Sequence, residues 1–324
     1  MTLSKLAQLA NVSVSVVSKA FSGRDDVSEA MRERVFAVAK EHGCFEQFYH
    51  APYDKPVVVV IVPEVISEYY IKYIQLLKKG IEECGYTMLM SINNFDAEMT
   101  QELVRYYTEY GKVNGIILFG EMPKISKKAD IAFISIGGSD YDTGSRVLLD
   151  ISSGLSVMLK HLRDCGHKSV AYVGEPLTES KRFLLEKTMS DMGIEVIPEH
   201  MICSRYRFSD AGRDGTKKLL ALENRPTAIV GAYGYITQGV IAELETQGVS
   251  IPRDMSVVSL GDDPYPLHST LNVSYISSMT EKVCEAVMQL LKERINSQNP
   301  NTPQVINILS EFVEGETVRI IKNK

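Results

Sequence analysis

Two short helical stretches separated by three residues occupy positions 2–23, and such a pair can close on itself in few ways. Ser4 reads as the cap of a first helix, with Leu6, Ala7, Leu9 and Ala10 as its apolar face. Asn11-Val12-Ser13 then interrupts the pattern: Asn tolerates the left-handed conformation, Val12 plugs the bend and Ser13 is a second cap. A second helix runs from Val14 and stops near Ser22-Gly23. On it Val17, Ala20 and Phe21 fall at i, i+3 and i+4 and face the first helix, which leaves Val14, Ser15, Ser18 and Lys19 outward. Two short helices joined by a tight turn form the geometry that seats a recognition helix in a DNA major groove. The competing reading is a small helical hairpin packed on a larger domain.

The outward residue types suit that groove. A Lys can bond guanine O6 and N7, a Ser can donate to or accept from several bases, and a Val methyl can touch a thymine methyl. Ser13 and Ser18 fit phosphate oxygens, which position a helix without reading sequence. The chain carries a formal charge of −6, which argues against a protein that coats nucleic acid everywhere. Residues 2–23 nevertheless hold Lys5 and Lys19 and no acid. Two charges per head give weak non-specific affinity, so a dimer presenting two heads is expected.

Length and texture separate this head from the rest. At 324 residues the chain suits a small head plus a two-lobed body. Residues 44–56 hold two prolines and no helical period, so they read as a linker. Val57–Val62 is then a β-branched strand ended by Pro63, far too short to span a bilayer. Strands at 87–92, 115–119, 132–136, 169–173, 201–203, 228–231 and 256–260 alternate with helices near 69–84, 97–110, 152–165, 180–192, 210–222 and 236–247. Such alternation builds parallel sheets covered on both faces, and two sets joined by crossovers make a hinged body with ligand beyond the strand ends. Five scattered cysteines with no C-x-x-C pair suit reduced thiols in a cytosol. No phosphate loop, H-E-x-x-H, G-x-S-x-G or persuasive Ser/His/Asp set is present, so no catalytic residue, metal ligand or cofactor is expected. A lone His167 before a strand reads as a structural hydrogen-bonder.

At these positions the chain resembles the lac-repressor (LacI/GalR) family of bacterial transcription regulators. The family opening T-L-x-D-V-A-x-x-A-G-V-S-x-x-T-V-S-R-x-L-N-G is matched at Thr2, Leu3, Ala7, Ala10, Val12, Ser13, Val17, Ser18 and Gly23, and Val27–Val35 resembles its third helix with Ser28 as cap. In the body, 165–174 resembles L-G-H-x-x-I-A-x-I-G, 225–230 resembles R-P-T-A-I-F, and 248–258 resembles G-x-x-V-P-x-D-V-S-V-V. The resemblance implies a DNA-contacting set of Thr2, Ser13, Val14, Ser15, Ser18 and Lys19, with Lys19 where the family usually has a bidentate Arg.

For the cleft it implies Tyr69 and Tyr70 within Glu64-Val-Ile-Ser-Glu-Tyr-Tyr70, and Asn93 or Asn94 after the second strand. It also implies Lys181 or Arg182, Tyr233, and Asp262 within Gly261-Asp-Asp263. Two departures stand out. The family's A-N-D-x-x-A-x-G is here Ala232-Tyr-Gly-Tyr-Ile-Thr-Gln-Gly239, which implies an unusual ligand or a cleft partly filled by Tyr233 or Tyr235. Residues 44–56 lack the P-N-x-x-A-R-x-L hinge helix whose Leu wedges into the minor groove.

The expected fold is therefore α/β: an all-helical helix-turn-helix head on a two-lobed, periplasmic-binding-protein-like body with parallel sheets. The expected domains are a head at 1–46, an atypical linker at 47–56 and an effector-binding and dimerisation body at 57–324. Lobe one spans about 57–149 and 276–302, and lobe two about 150–275 and 303–324. Ile71, Ile74 and Leu77 are candidates for the dimer interface or for core. The expected function is a cytoplasmic, homodimeric regulator, a repressor, that binds double-stranded DNA at a near-palindromic operator, makes no membrane contact and answers to a small sugar-like effector. The alternative is a small-molecule binding protein of the same fold with weak or lost operator binding.

Overall fold

The computed structural model describes residues 1–22, 26–48, 56–111, 113–123, 131–138, 144–261, 271–295 and 303–321. The chain divides into two compact units, Met1–Val57 and Val58–Lys324, and each is taken alone.

The first unit is helical: α1 (Leu3–Ala10), α2 (Val14–Phe21), α3 (Glu29–Glu41) and the single turn α4 (Phe45–Phe48). Thr2, not Ser4, caps α1, its hydroxyl accepting from Lys5 N at 3.3 Å. Thr2 is extended while Leu3 is already helical, so the helix begins before Ser4 can cap it. Leu6, Ala7 and Ala10 are buried, but Leu9 is exposed because it projects roughly 100° from the centre of that stripe. Asn11 adopts the left-handed conformation at φ 52° and ends α1, and Ser13 caps α2 through Val16 N at 3.2 Å.

Phe21 anchors the core of this unit, with ring contacts to Phe36, Phe45 and Phe48 at 5.0, 5.9 and 5.7 Å. Phe45 and Phe48 thus belong to the head, although 44–56 reads as linker by its lack of period. One helical turn has no periodicity of its own and is held here by aromatic packing. Residues 49–55, where the hinge segment is in question, lie outside the described residues.

The second unit continues with β1 (Val57–Val62), α5 (Glu68–Glu83), β2 (Thr87–Ile92), α6 (Ala97–Glu109), β3 (Gly115–Phe119), β4 (Ala132–Ile136) and β5 (Ser145–Asp150). Next come α7 (Ile151–Asp164), β6 (Val170–Gly174), α8 (Glu179–Asp191), β7 (Met201–Cys203), α9 (Phe208–Leu220), β8 (Ala228–Gly231), α10 (Gly234–Thr246) and β9 (Ser256–Ser259). The unit ends with β10 (Ser274–Ser277), α11 (Thr280–Ile295), β11 (Val305–Leu309) and β12 (Glu311–Val313). Two sheets result, ordered β11-β5-β4-β3-β1-β2 and β12-β10-β9-β8-β6-β7. The registered pairs are parallel except β10 with β12.

Each sheet has its own core. In lobe one Val58, Val60, Ile117 and Ile134 pack against Tyr73, Leu77 and Val287; in lobe two Ala171, Val173, Ile229 and Val257 pack against Leu155, Leu185 and Val240. Leu77 is therefore core, while Ile71 and Ile74 are half-buried.

The chain crosses between lobes after β5, after β10 and after β11. This corrects the expected lobe boundaries at 275/276 and 302/303, because β10 lies wholly in lobe two and β11 completes the sheet of lobe one. β11 (Val-Ile-Asn-Ile-Leu) is an edge strand with no fully buried residue, so its apolar residues do not say which sheet it joins; its parallel pairing with β5 does. The first and third crossings are tied together: Ser310 N donates to Asp150 O at 3.0 Å, and Gly154 N donates to Ser310 Oγ at 3.1 Å. A Cβ at Gly154 would meet Ser310 Oγ at 2.7 Å, so glycine permits this close approach. Among the described residues no helix is long and apolar enough to cross a membrane, and no group of His, Cys, Asp and Glu could hold a metal.

His167 joins three segments of lobe two. Its Nδ1 lies 2.9 Å from Thr227 Oγ1, and its Nε2 lies 3.1 Å from both Arg319 O and Ser256 Oγ. Burial pushes its pKa below the ordinary 6.5. The unfolded chain then binds the extra proton first, so this residue withdraws stability as pH falls through 6.5 towards the folded value. Urea midpoints of the wild type and of His167→Gln between pH 7.5 and 5.5 should show the wild type losing stability more steeply. Parallel slopes would remove His167 as the cause.

Candidate nucleic-acid interface and interlobe cleft

On the head, the α2 residues Val17, Ala20 and Phe21 are buried, and Val14, Ser15 and Ser18 are exposed side by side. Lys19 lies at the edge of this face, its ammonium paired with Asp26. Thr2 and Ser13 use a lone pair to cap their helices, which leaves each hydroxyl hydrogen free to donate to a phosphate oxygen. Val14, Ser15, Ser18 and Lys19 thus share one face of a helix whose opposite face is fixed by the head core.

In the body, the residues that follow the carboxyl ends of the strands converge between the lobes. Glu64 follows β1 and Glu175 follows β6; they are 7% and 1% exposed. Arg207, four residues beyond β7, reaches both. Its Nη1 and Nη2 donate to Glu64 at 3.0 and 3.4 Å, and its Nε donates to Glu175 at 3.3 Å. Glu64 belongs to lobe one while Arg207 and Glu175 belong to lobe two, so one guanidinium ties the cleft shut. Burial alone would lower the Arg207 pKa, but the hydrogen bonds it donates to Glu64 and the two carboxylate charges raise it, so it stays charged.

Aromatic rings wall this ion cluster. Arg207 lies 4.4 Å from the Phe208 ring centroid and 5.8 Å from that of Phe95. The Tyr233 hydroxyl donates to Glu175 at 2.7 Å, and burial followed by that carboxylate pushes its pKa up. Burial, followed by the nearby Glu68 of lobe one, raises the Tyr235 pKa. Both phenols therefore occupy the region where the sequence lacks the Asn-Asp pair.

The sequence-predicted cleft residues divide. Tyr70 meets Phe95 at 6.2 Å and Phe119 at 5.4 Å, and Tyr233 joins the ion cluster directly. Lys181 Nζ donates to Ala232 O and Leu260 O at 3.0 and 3.1 Å, at the ends of β8 and β9. Arg182 instead pairs with Glu186 and Glu179 along its own helix. Tyr69 is exposed and packs on Tyr70 and Tyr73.

Asn93 is buried and spends its amide on Thr100 Oγ1 and Phe95 N, so it builds the turn rather than facing ligand. The Asn94 amide rests on Met99 Sδ at 3.9 Å, and no described contact joins it to the cluster. Asp262 lies outside the described residues. Sequence reading missed Glu64, Glu175, Arg207, Phe95 and Phe208. Their common signal was position: each lies within a few residues of a strand's carboxyl end, where open α/β sheets place their ligands.

A family model described as bacterial regulatory proteins, lacI family, matches residues 2–44, and one described as a periplasmic binding protein-like domain matches residues 159–318. The chain belongs to the lacI family of bacterial regulatory proteins. Among lacI-family relatives, the catabolite control protein A of Priestia megaterium is 24% identical, over 92% of this chain and 93% of that protein. The lac repressor dimer bound to operator and the anti-inducer ONPF superposes with a TM-score of 0.68 at 17% identity, covering 98% of this chain and 99% of that one. A LacI-family regulator from Enterococcus faecium with bound ribose gives 0.69 at 18% identity, covering 82% and 100%. As a lacI-family member the chain is a DNA-binding regulator and not an enzyme.

The ion cluster makes its own prediction. Arg207→Ala leaves two largely buried carboxylates without their shared cation and should destabilise the body by about 1–3 kcal/mol, less than the roughly 3–5 kcal/mol of a fully buried pair because the Arg207 side chain is itself 38% exposed. Adding Glu175→Gln to that variant should restore part of the loss in a urea titration. Further loss on adding it would contradict the assignment.

Proposed function

We propose that this chain is a homodimeric, cytoplasmic transcriptional repressor whose heads read a near-palindromic operator and whose interlobe cleft binds a small polar effector. The observation that carries the DNA reading is the α2 face, where Val14, Ser15, Ser18 and Lys19 are presented together on a helix braced from behind by Val17, Ala20 and Phe21. Ser15 and Lys19 stand four residues apart and project to the same side, so they suit base edges, while Thr2, Ser13 and Ser18 suit phosphates. Lys19 must exchange Asp26 for a base or phosphate, a swap that an exposed pair permits at little cost.

The effector reading rests on the body: two parallel sheets whose carboxyl ends face one cleft, joined by three crossings that act as a hinge. Tyr70, Lys181 and Tyr233 are its proposed lining, with Tyr69, Asn94 and Arg182 as the outer set; Asp262 is proposed from the resemblance alone. A relative crystallised with ribose supports a sugar-like class of ligand. An effector acts here only through its different affinities for the DNA-competent and DNA-incompetent states.

Selection of binding sites from a random duplex library by the purified full-length chain tests this reading. A site with two symmetric half-sites is expected. Lys19→Ala should relax preference at one base pair per half-site by about 1–3 kcal/mol. No enrichment at low salt from folded, dimeric protein contradicts direct operator binding and favours a ligand-binding protein of the same fold.

A further inference from the structure

The cluster around Arg207 has the composition of a cation receptor, and its cation is supplied by the chain itself. Glu64 and Glu175 are the buried members, at 7% and 1% exposure, whereas the Arg207 side chain is 38% exposed. The rings on either side come from opposite lobes, and both belong to residues in the left-handed backbone conformation: Phe95 at φ 59° and Phe208 at φ 55°. Bulky residues adopt that conformation only where the surroundings over-determine it, and such positions gather at ligand clamps. Two features therefore mark one place: a pair of buried carboxylates, and aromatic rings from opposite lobes on either side of the guanidinium they share.

We propose that this cluster is the recognition site for an organic cation, a small molecule bearing a protonated amine or guanidinium, which takes the place of the Arg207 side chain between Glu64 and Glu175. This rests on reading the cleft as the effector site and narrows its ligand class.

Charge selects the class. A neutral polyol that displaces Arg207 leaves two buried carboxylates without a counter-charge, which is the costly way to break a buried pair. An anion, such as a sugar phosphate, places a third negative charge beside the two already there. A cation restores the balance, takes the same acceptors at Glu64 and Glu175, and lies between the rings of Phe95 and Phe208. Tyr233 remains on Glu175 and holds that carboxylate in place during the exchange.

Arg207 is suited to leave. It precedes the first residue of α9 and follows two exposed residues, Arg205 and Tyr206, so its head can swing to water without unpacking the helix. Another ion pair between the lobes, Lys282 with Glu311, is exposed and stands beside the third crossing. The cleft is thus the place where a ligand gains or loses a hold on both lobes.

The test uses the full-length chain with ethylguanidinium as probe, its neutral isostere N-ethylurea as control, and sodium chloride matched for ionic strength. Arg207→Ala should bind ethylguanidinium saturably and gain about 2 °C or more of melting temperature at tens of millimolar, with no gain from N-ethylurea. The gain should vanish in Arg207→Ala/Glu175→Gln. In the wild type, which needs no variant to fold, agmatine or D-glucosamine should raise the melting temperature more than D-glucose or D-glucose 6-phosphate.

Absence of a saturable gain with ethylguanidinium in folded Arg207→Ala overturns the proposal. So does a wild-type preference for the neutral sugar or the phosphate, and that result leaves the effector cleft standing. Failure of operator selection with cation binding intact counts against the regulator reading alone.

Discussion

Two carboxylates on opposite sides of a cleft share one guanidinium, and the closed arrangement of the body depends on that sharing. Glu64 and Glu175 are too buried to be solvated in place, so each needs the positive charge that Arg207 supplies. The bond is not a stabilising ornament of the kind found on the surface, such as Lys78 with Glu82 along α5. It couples the lobes: the distance between Glu64 and Glu175 and the position of the shared cation cannot change separately.

Much of the fold was legible because parallel sheets announce themselves. The run Val57–Val62 has every residue buried and every residue apolar, which is what a strand covered on both faces requires. The head was equally readable, since Asn11 and Ser13 sit where a left-handed turn and a cap are needed. Where sequence reading fell short, tertiary contacts had overridden local pattern. α4 is a single turn held by Phe21 and Phe36, and β11 is an edge strand whose register is set by β5 rather than by its own apolar residues.

The cleft was half legible. Aromatic and basic residues near strand ends were expected by resemblance, and Tyr70, Lys181 and Tyr233 make their contacts near those ends. The ion cluster was not found, because Glu64, Glu175 and Arg207 are distant in sequence and nothing local marks an Arg that will reach across a cleft. Charge pairing over such separations is a property of topology. Only the sheet order brings the ends of β1, β6 and β7 to one place.

Function follows if the state of the cleft and the state of the heads are linked. A regulator of this design needs a body with discrete arrangements and a contact whose making or breaking selects between them. The most direct test is the operator dissociation constant of the wild type and of Glu64→Gln at one salt concentration. That substitution removes the charge of lobe one's contact while leaving Arg207 paired with Glu175. The account predicts a change of roughly fivefold or more, the lower bound of ordinary coupling between sites. Equal affinity, from a variant shown to be folded and dimeric, would contradict it and reduce the cluster to a structural bond.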